Sequence, residues 1–300
     1  MLSSRREFLR TSLAASAAVA AGPAAFSSLA TANAPSKKQD AALAFGLVTY
    51  QWAKNWDVPT LIANCQKTEV LGVELRTTHA HKVEPNLTEQ QRSEVQARFA
   101  DAGVTIVGIG SDERFDNPDP AVVKKAIEAT KEFIRLSHDI GGSGVKVKPD
   151  SFHKDVPREK TIEQIGKALN EVGQYAAGFG QQIRLEVHGQ CQELPTIKAI
   201  MDIATDENVF VCWNSNPADL KGEGLKHNFN LVRDRFGATV HIHMLDSKEY
   251  PHQELISLLV ESGYVGWLLL EEGKVPADPV AALAQQKKLF DEMVAKAMAS

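Results

Sequence analysis

Residues 162–188 read IEQIGKALNEVGQYAAGFGQQIRLEVH and hold one unit of the fold. Ile162, Ile165, Leu169, Val172 and Ala176 recur at steps of three and four, an amphipathic stripe suited to packing on a sheet. Gln182–His188 then follows as a short apolar β-type run. The same alternation extends in both directions. Candidate strands are Phe45–Tyr50, Gly72–Arg76, Val104–Ile109, Gly144–Lys148, Gln182–His188, Asn208–Trp213, Thr239–Leu245 and Gly266–Glu271. Asp119-Pro120 and Asp278-Pro279 each supply an N-cap followed by proline at the first helical position, so both mark helix starts. No GxGxxG follows Phe45–Tyr50 and no GxxxxGK[ST] occurs, which disfavours a nucleotide-binding doubly wound sheet. Eight βα units predict an α/β fold, a single (β/α)8 TIM barrel over residues 45–297, with its chemistry at the C-terminal strand ends.

The chain has 300 residues, 43% hydrophobic and 24% charged, the composition of a globular protein. Its formal net charge of −5 gives no electrostatic reason for nucleic-acid or anionic-membrane binding. Cys65, Cys191 and Cys212 are too few for a disulfide scaffold or a Cys-rich zinc module. Cys65 falls in a helix pattern and Cys212 in a strand pattern, so both are expected in the core.

Ser4-Arg5-Arg6-Glu7-Phe8-Leu9-Arg10 precedes an uncharged, Ala-rich run, a pattern similar to a twin-arginine export signal. Residues 1–34 are expected to be that signal and 35–44 a short linker. Small-residue cleavage patterns stand at Ala30-Thr31-Ala32 and Ala32-Asn33-Ala34, the first favoured because the second puts Pro35 after the cut. The segment carries three Arg and one Glu, so its removal takes the net charge from −5 to −7. A periplasmic location follows as an expectation, with no stable membrane insertion after processing, because Ala, Ser, Thr, Gly and Pro make a poor transmembrane helix.

The strand ends carry much charge for such short apolar runs: Glu74 and Arg76, Lys146 and Lys148, Glu186 and His188, Asn214 and Asn216, His241, His243 and Asp246, Glu271 and Glu272. Glu186, Asn214 or Asn216, His243 and Glu271 lie on four successive strands, so barrel closure brings them to one rim. Two carboxylates neutralise a divalent cation, and mixed imidazole and oxygen ligands suit Mn²⁺, Co²⁺, Mg²⁺ or Zn²⁺.

The runs Leu185-Glu186-Val187-His188-Gly189, His241-Ile242-His243-Met244-Leu245-Asp246 and Gly263-Tyr264-Val265-Gly266-Trp267-Leu268-Leu269-Leu270-Glu271 resemble the xylose-isomerase-like TIM-barrel superfamily. That group includes sugar isomerases, ketose 3-epimerases, inosose dehydratases and apurinic endonucleases. The resemblance implies one divalent metal, Mn²⁺ first, held by Glu186, Asn214, His243 and Glu271. The family's usual strand-six Asp, with a His three residues later, is replaced here by Asn214 and Pro217, which removes a negative charge and a ligand. Asn216 or Asp246 then becomes a substitute ligand. The additional ligands of the endonuclease branch find no counterparts, which argues with the charge against DNA cleavage.

The chemistry implied is proton abstraction beside a carbonyl, with the metal chelating a hydroxyl–carbonyl pair of a sugar and stabilising the enediolate. Glu186 and Glu271 would be the catalytic acid/base pair. His188, Lys148, Glu74 and Trp52 are candidate substrate contacts, Trp52 as an apolar wall for a sugar ring. Export and the lack of a compact Arg/Lys phosphate cradle favour a non-phosphorylated sugar or keto-sugar. An isomerase or epimerase of such a small molecule is the expected function. A lyase or dehydratase acting on a 3-keto sugar or glycoside by β-elimination, and a non-catalytic carbohydrate-binding barrel, are the alternatives.

Overall fold

The computed structural model describes residues 42–300, so the expected export signal and all but the last three residues of the expected linker lie outside the described residues. Eight parallel strands alternate with eight helices. They are β1 (Ala42–Val48), α1 (Val58–Thr68), β2 (Gly72–Arg76), α2 (Glu89–Asp101), β3 (Thr105–Arg114), α3 (Pro120–Asp139), β4 (Gly144–Lys148) and α4 (Arg158–Ala177), then β5 (Gln182–Glu186), α5 (Leu194–Ile203), β6 (Val209–Asn214), α6 (Leu225–Val232), β7 (Phe236–Ile242), α7 (His252–Glu261), β8 (Val265–Leu270) and α8 (Pro279–Met298). Each strand pairs with its successor, and β1 pairs with β8 from Ala42↔Val265 to Leu47↔Leu270, closing the barrel. β1 opens at Ala42, three residues before the expected start, because register with β8 extends the ladder there.

Local chemistry explains the helix starts. Asp119 accepts a hydrogen bond from Ala121 N–H at 2.8 Å, and Asp278 from Val280 and Ala281 N–H at 3.0 Å each, both ahead of a first-turn proline. The stripe Ile165, Leu169, Val172 and Ala176 of α4 is buried. Cys65, Cys191 and Cys212 are free and buried, and desolvation pushes the Cys65 thiol up to about 12.

The barrel interior is layered. Arg184 fills the lower end, donating to Gln182 Oε1 at 2.9 Å, Ser143 Oγ at 2.6 Å and the Val107 carbonyl at 3.4 Å. Trp267 lies over Gly72, where a Cβ would overlap its ring. Val48, Val107 and Leu269 form a small apolar cluster packed with Trp267. The strands deliver the next layer, the polar one, above this floor. Among the described residues no helix is long and apolar enough to cross a membrane.

Candidate active site

Side chains alternate across each strand, so residues two apart share a face. That phase places Glu74, Lys146, Glu186, Asn214 and His241 in one buried layer, with Glu271 just past the end of β8. His241 is its hub. Its Nδ1 lies 3.4 Å from Glu186 Oε1 and 3.1 Å from Glu271 Oε2, and its Nε2 lies 3.3 Å from Glu74 Oε1. Lys146 Nζ lies 2.9 Å from Glu186 Oε2, an ion pair without hydrogen-bond alignment. Asn214 Nδ2 donates to Glu186 Oε1 at 2.9 Å.

Burial alone would push the Glu186 carboxyl up, yet Lys146 and His241 outweigh it and hold the group well below the usual carboxylate range. Burial would likewise lower the His241 imidazole and the Lys146 ammonium. The neighbouring Cys212 sulfur and the Glu74 and Glu271 carboxylates raise His241 instead, and Glu186, Glu271 and Glu74 raise Lys146. The layer is therefore an alternation of opposite charges among side chains buried in the barrel.

A second polar group stands on the rim over β2–β5. Asp112 Oδ1 gathers Lys148 Nζ at 3.0 Å, Arg76 Nη2 at 3.2 Å and Arg114 Nη2 at 3.4 Å. Asp150 accepts from His188 Nδ1 at 2.6 Å and pairs with Arg114 through Nε. The His188 hydrogen bond, reinforced by the Arg114 charge, outweighs desolvation and holds the Asp150 carboxyl down at about 2.

The structure brings Glu186, Asn214 and Glu271 together, but the imidazole between the carboxylates is His241. His243 stands one layer higher, beyond the end of β7, with Nδ1 2.7 Å from the Glu271 carbonyl. Both histidines share the inward phase, and depth along a strand is set by barrel register rather than by spacing. Asn216 turns away, its amide committed to the Val187 and Asn214 carbonyls at 2.8 and 3.0 Å. Asp246 is engaged by Gln286 Nε2 at 2.9 Å.

Of the expected substrate contacts, His188 and Lys148 reach the rim, His188 with 37% of its side chain exposed. Glu74 does not, since it is wholly buried beneath His241. Trp52 is 4% exposed within the core, and its Nε1 donates to the Lys274 carbonyl at 2.8 Å. That bond ties the β1–α1 loop to the β8–α8 loop instead of presenting an open ring. Sequence reasoning missed Asp112, Asp150 and Arg114 as rim residues and gave Lys146 no role.

The layer's donors fit a divalent metal. Glu186, His241 and Glu271 each offer one atom, all within 4.8 Å of one another. Asn214 Oδ1 is buried without a hydrogen-bond partner, a further neutral oxygen beside them. Carboxylate, imidazole and amide oxygen together suit a borderline cation such as Mn²⁺, Co²⁺ or Zn²⁺. Beside this layer a cavity of about 600 Å³ opens, lined by His243, Ser215, Tyr250, His252, Glu272 and Lys274 among others.

No curated protein matches the chain by sequence. Among solved structures, a 3-keto-D-glucoside 4-epimerase from E. coli superposes with a TM-score of 0.71 at 14% identity, covering 84% of this chain and 99% of that one. An L-ribulose 3-epimerase gives 0.72 at 15%, covering 85% and 95%, and the IolI protein with a bound zinc atom gives 0.69 at 16%, covering 85% and 98%. At such identity the likeness is one of fold. The xylose isomerase-like TIM barrel family model matches residues 62–293, from inside α1 to inside α8. The chain belongs to the xylose isomerase-like TIM barrel family.

Proposed function

We propose that this protein is an exported, divalent-metal-dependent isomerase or epimerase of a non-phosphorylated sugar or keto-sugar. One observation carries the proposal: Glu186 Oε1 and Glu271 Oε2 approach His241 Nδ1 from two strands, at 3.4 and 3.1 Å. Moving a proton at a carbon beside a carbonyl needs one group to take it and another to return it. Glu186 and Glu271 are the two carboxylates placed to do so, and Glu271, the more open of the two, can exchange protons at the rim. A divalent ion held by Glu186, His241, Glu271 and Asn214 would supply Lewis-acid polarisation of the sugar carbonyl. Lys148, Arg76 and His188 would bind and orient the hydroxyls above. The similarity to two sugar epimerases and to a zinc-containing barrel supports this reading.

The test is exchange in deuterated water. With Mn²⁺ present, a panel of ketoses and 3-keto-glucosides should gain one deuterium beside the carbonyl, seen by NMR, with mass otherwise conserved. Release of water or an alcohol would make the protein a lyase, and neither outcome, with sugar still bound, would make it a carbohydrate-binding barrel.

A further inference from the structure

β4 brings to the barrel axis an ammonium group too deeply buried to touch a sugar. The Lys146 side chain has no solvent exposure, and its Nζ lies 2.9 Å from Glu186 Oε2. Glu74 and Glu271 act on it by charge, His241 stands across the layer, and Arg184 is its register partner on β5. Neither Nζ nor Glu186 Oε2 has an aligned hydrogen-bond partner, so charge holds the pair. Glu186 also contributes to the one group of acidic, imidazole and thiol donors that converges within 4.8 Å among the described residues. One carboxylate thus faces an ammonium through Oε2 and the convergence point with His241 and Glu271 through Oε1.

We propose that the Lys146 ammonium is a built-in cation that shares Glu186 with the divalent ion and sets how tightly that ion is held. The inference rests on the divalent-ion part of the proposed function. Two effects act in the same direction. The ammonium occupies Glu186 Oε2, which limits this carboxylate to one oxygen for the ion. A positive charge fixed beside a second one in a water-excluded interior also repels it with little screening. Lys146 therefore lowers the affinity of the site and keeps the ion exchangeable.

The experiment titrates Mn²⁺ and Zn²⁺ by calorimetry into the metal-stripped full chain, wild type beside Lys146→Met, Lys146→Gln and Lys146→Arg, with folding checked by circular dichroism. Both neutral variants are expected to bind about tenfold more tightly or better, while the arginine variant stays near wild type. Lys146→Gln keeps a polar terminus for Glu186 and covers the case in which the methionine variant does not fold. A folded neutral variant with a Kd equal to or weaker than wild type would overturn the proposal and leave the divalent-ion reading standing. Absence of binding in every protein would instead bring down the ion reading, and this inference with it. Binding in the neutral variants alone would support the inference in its strongest form.

Discussion

Asp150 Oδ1 and His188 Nδ1 meet at 2.6 Å across the ends of β4 and β5. The backbone is arranged for that meeting. Asp150 adopts the left-handed conformation at φ 58°, and its carbonyl accepts from Gln190 N–H at 2.7 Å. Gly189, itself at φ 66°, leaves room that a Cβ would take from Asp150. With Nδ1 held, the His188 ring is fixed in orientation above Glu186.

Asp150→Asn should therefore lower kcat/KM on a responsive sugar by about tenfold while leaving the fold intact, since asparagine tolerates the left-handed backbone. Steady-state kinetics beside a thermal melt checks both halves. The Asp150 carboxyl sits near 2 when folded, below its ordinary value, so its stabilising contribution is complete above about pH 4 and is lost as pH falls through 2.

Glu186→Gln and Glu271→Gln should each slow proton exchange by on the order of 10²–10⁴. Their effects on stability should differ. Glu186→Gln leaves the Lys146 ammonium without its nearest carboxylate, at a cost of about 3 kcal/mol, whereas Glu271→Gln, at the partly open edge of the layer, costs about 1 kcal/mol or less. Urea denaturation of the two variants separates the cases.

Asp219 gives a pH signature. Its Oδ2 accepts from Asn216 N–H at 2.9 Å and Tyr250 O–H at 2.8 Å, while Oδ1 is buried without a partner. Desolvation, only partly opposed by those hydrogen bonds, pushes the carboxyl up to about 7. The folded state then holds a proton that the unfolded chain has released, so the group's contribution is full below about pH 4 and falls as pH rises through 7. Asp219→Asn should remove that decline, worth on the order of 3 kcal/mol, and be more stable than wild type at pH 8 but not at pH 4, as read by denaturation at both values.

Gly72→Ala should destabilise the barrel by about 1–3 kcal/mol, because the new methyl group overlaps the Trp267 ring in a closed interior. Chemical denaturation reads the loss, and a midpoint equal to wild type would show that the floor can repack.

The barrel was legible because its signals are local. Gly72–Arg76 and Gly144–Lys148 coincide with observed strands, and the Asp-Pro pairs open α3 and α8. The site was legible by strand but not by depth. His241 and His243 have the same phase, and only the ladder Asn214↔His241 fixes which one enters the carboxylate layer. Asp112 escaped notice because β3 runs on to Arg114 through an irregularity after Gly110, where the polar residues SDER read as a loop. Lys146 stood in view as a charged strand residue, but its partner Glu186 lies on the neighbouring strand at a height that sequence alone does not give. For Trp52, an open wall and a core ring look alike in sequence, and the Lys274 carbonyl 222 residues away decides between them.

The ammonium inside the barrel also bears on the order of assembly. A cluster of three carboxylates with nothing to oppose it would resist closing until a metal arrived, so that a scarce ion would govern the yield of folded protein. Lys146, Arg184 and His241 remove that obligation. In the proposed metal-dependent reading, the barrel can close as an apoprotein and take up its ion afterwards, and a chelator should abolish proton exchange while leaving the fold intact, lowering the melting temperature only by what ion binding contributes.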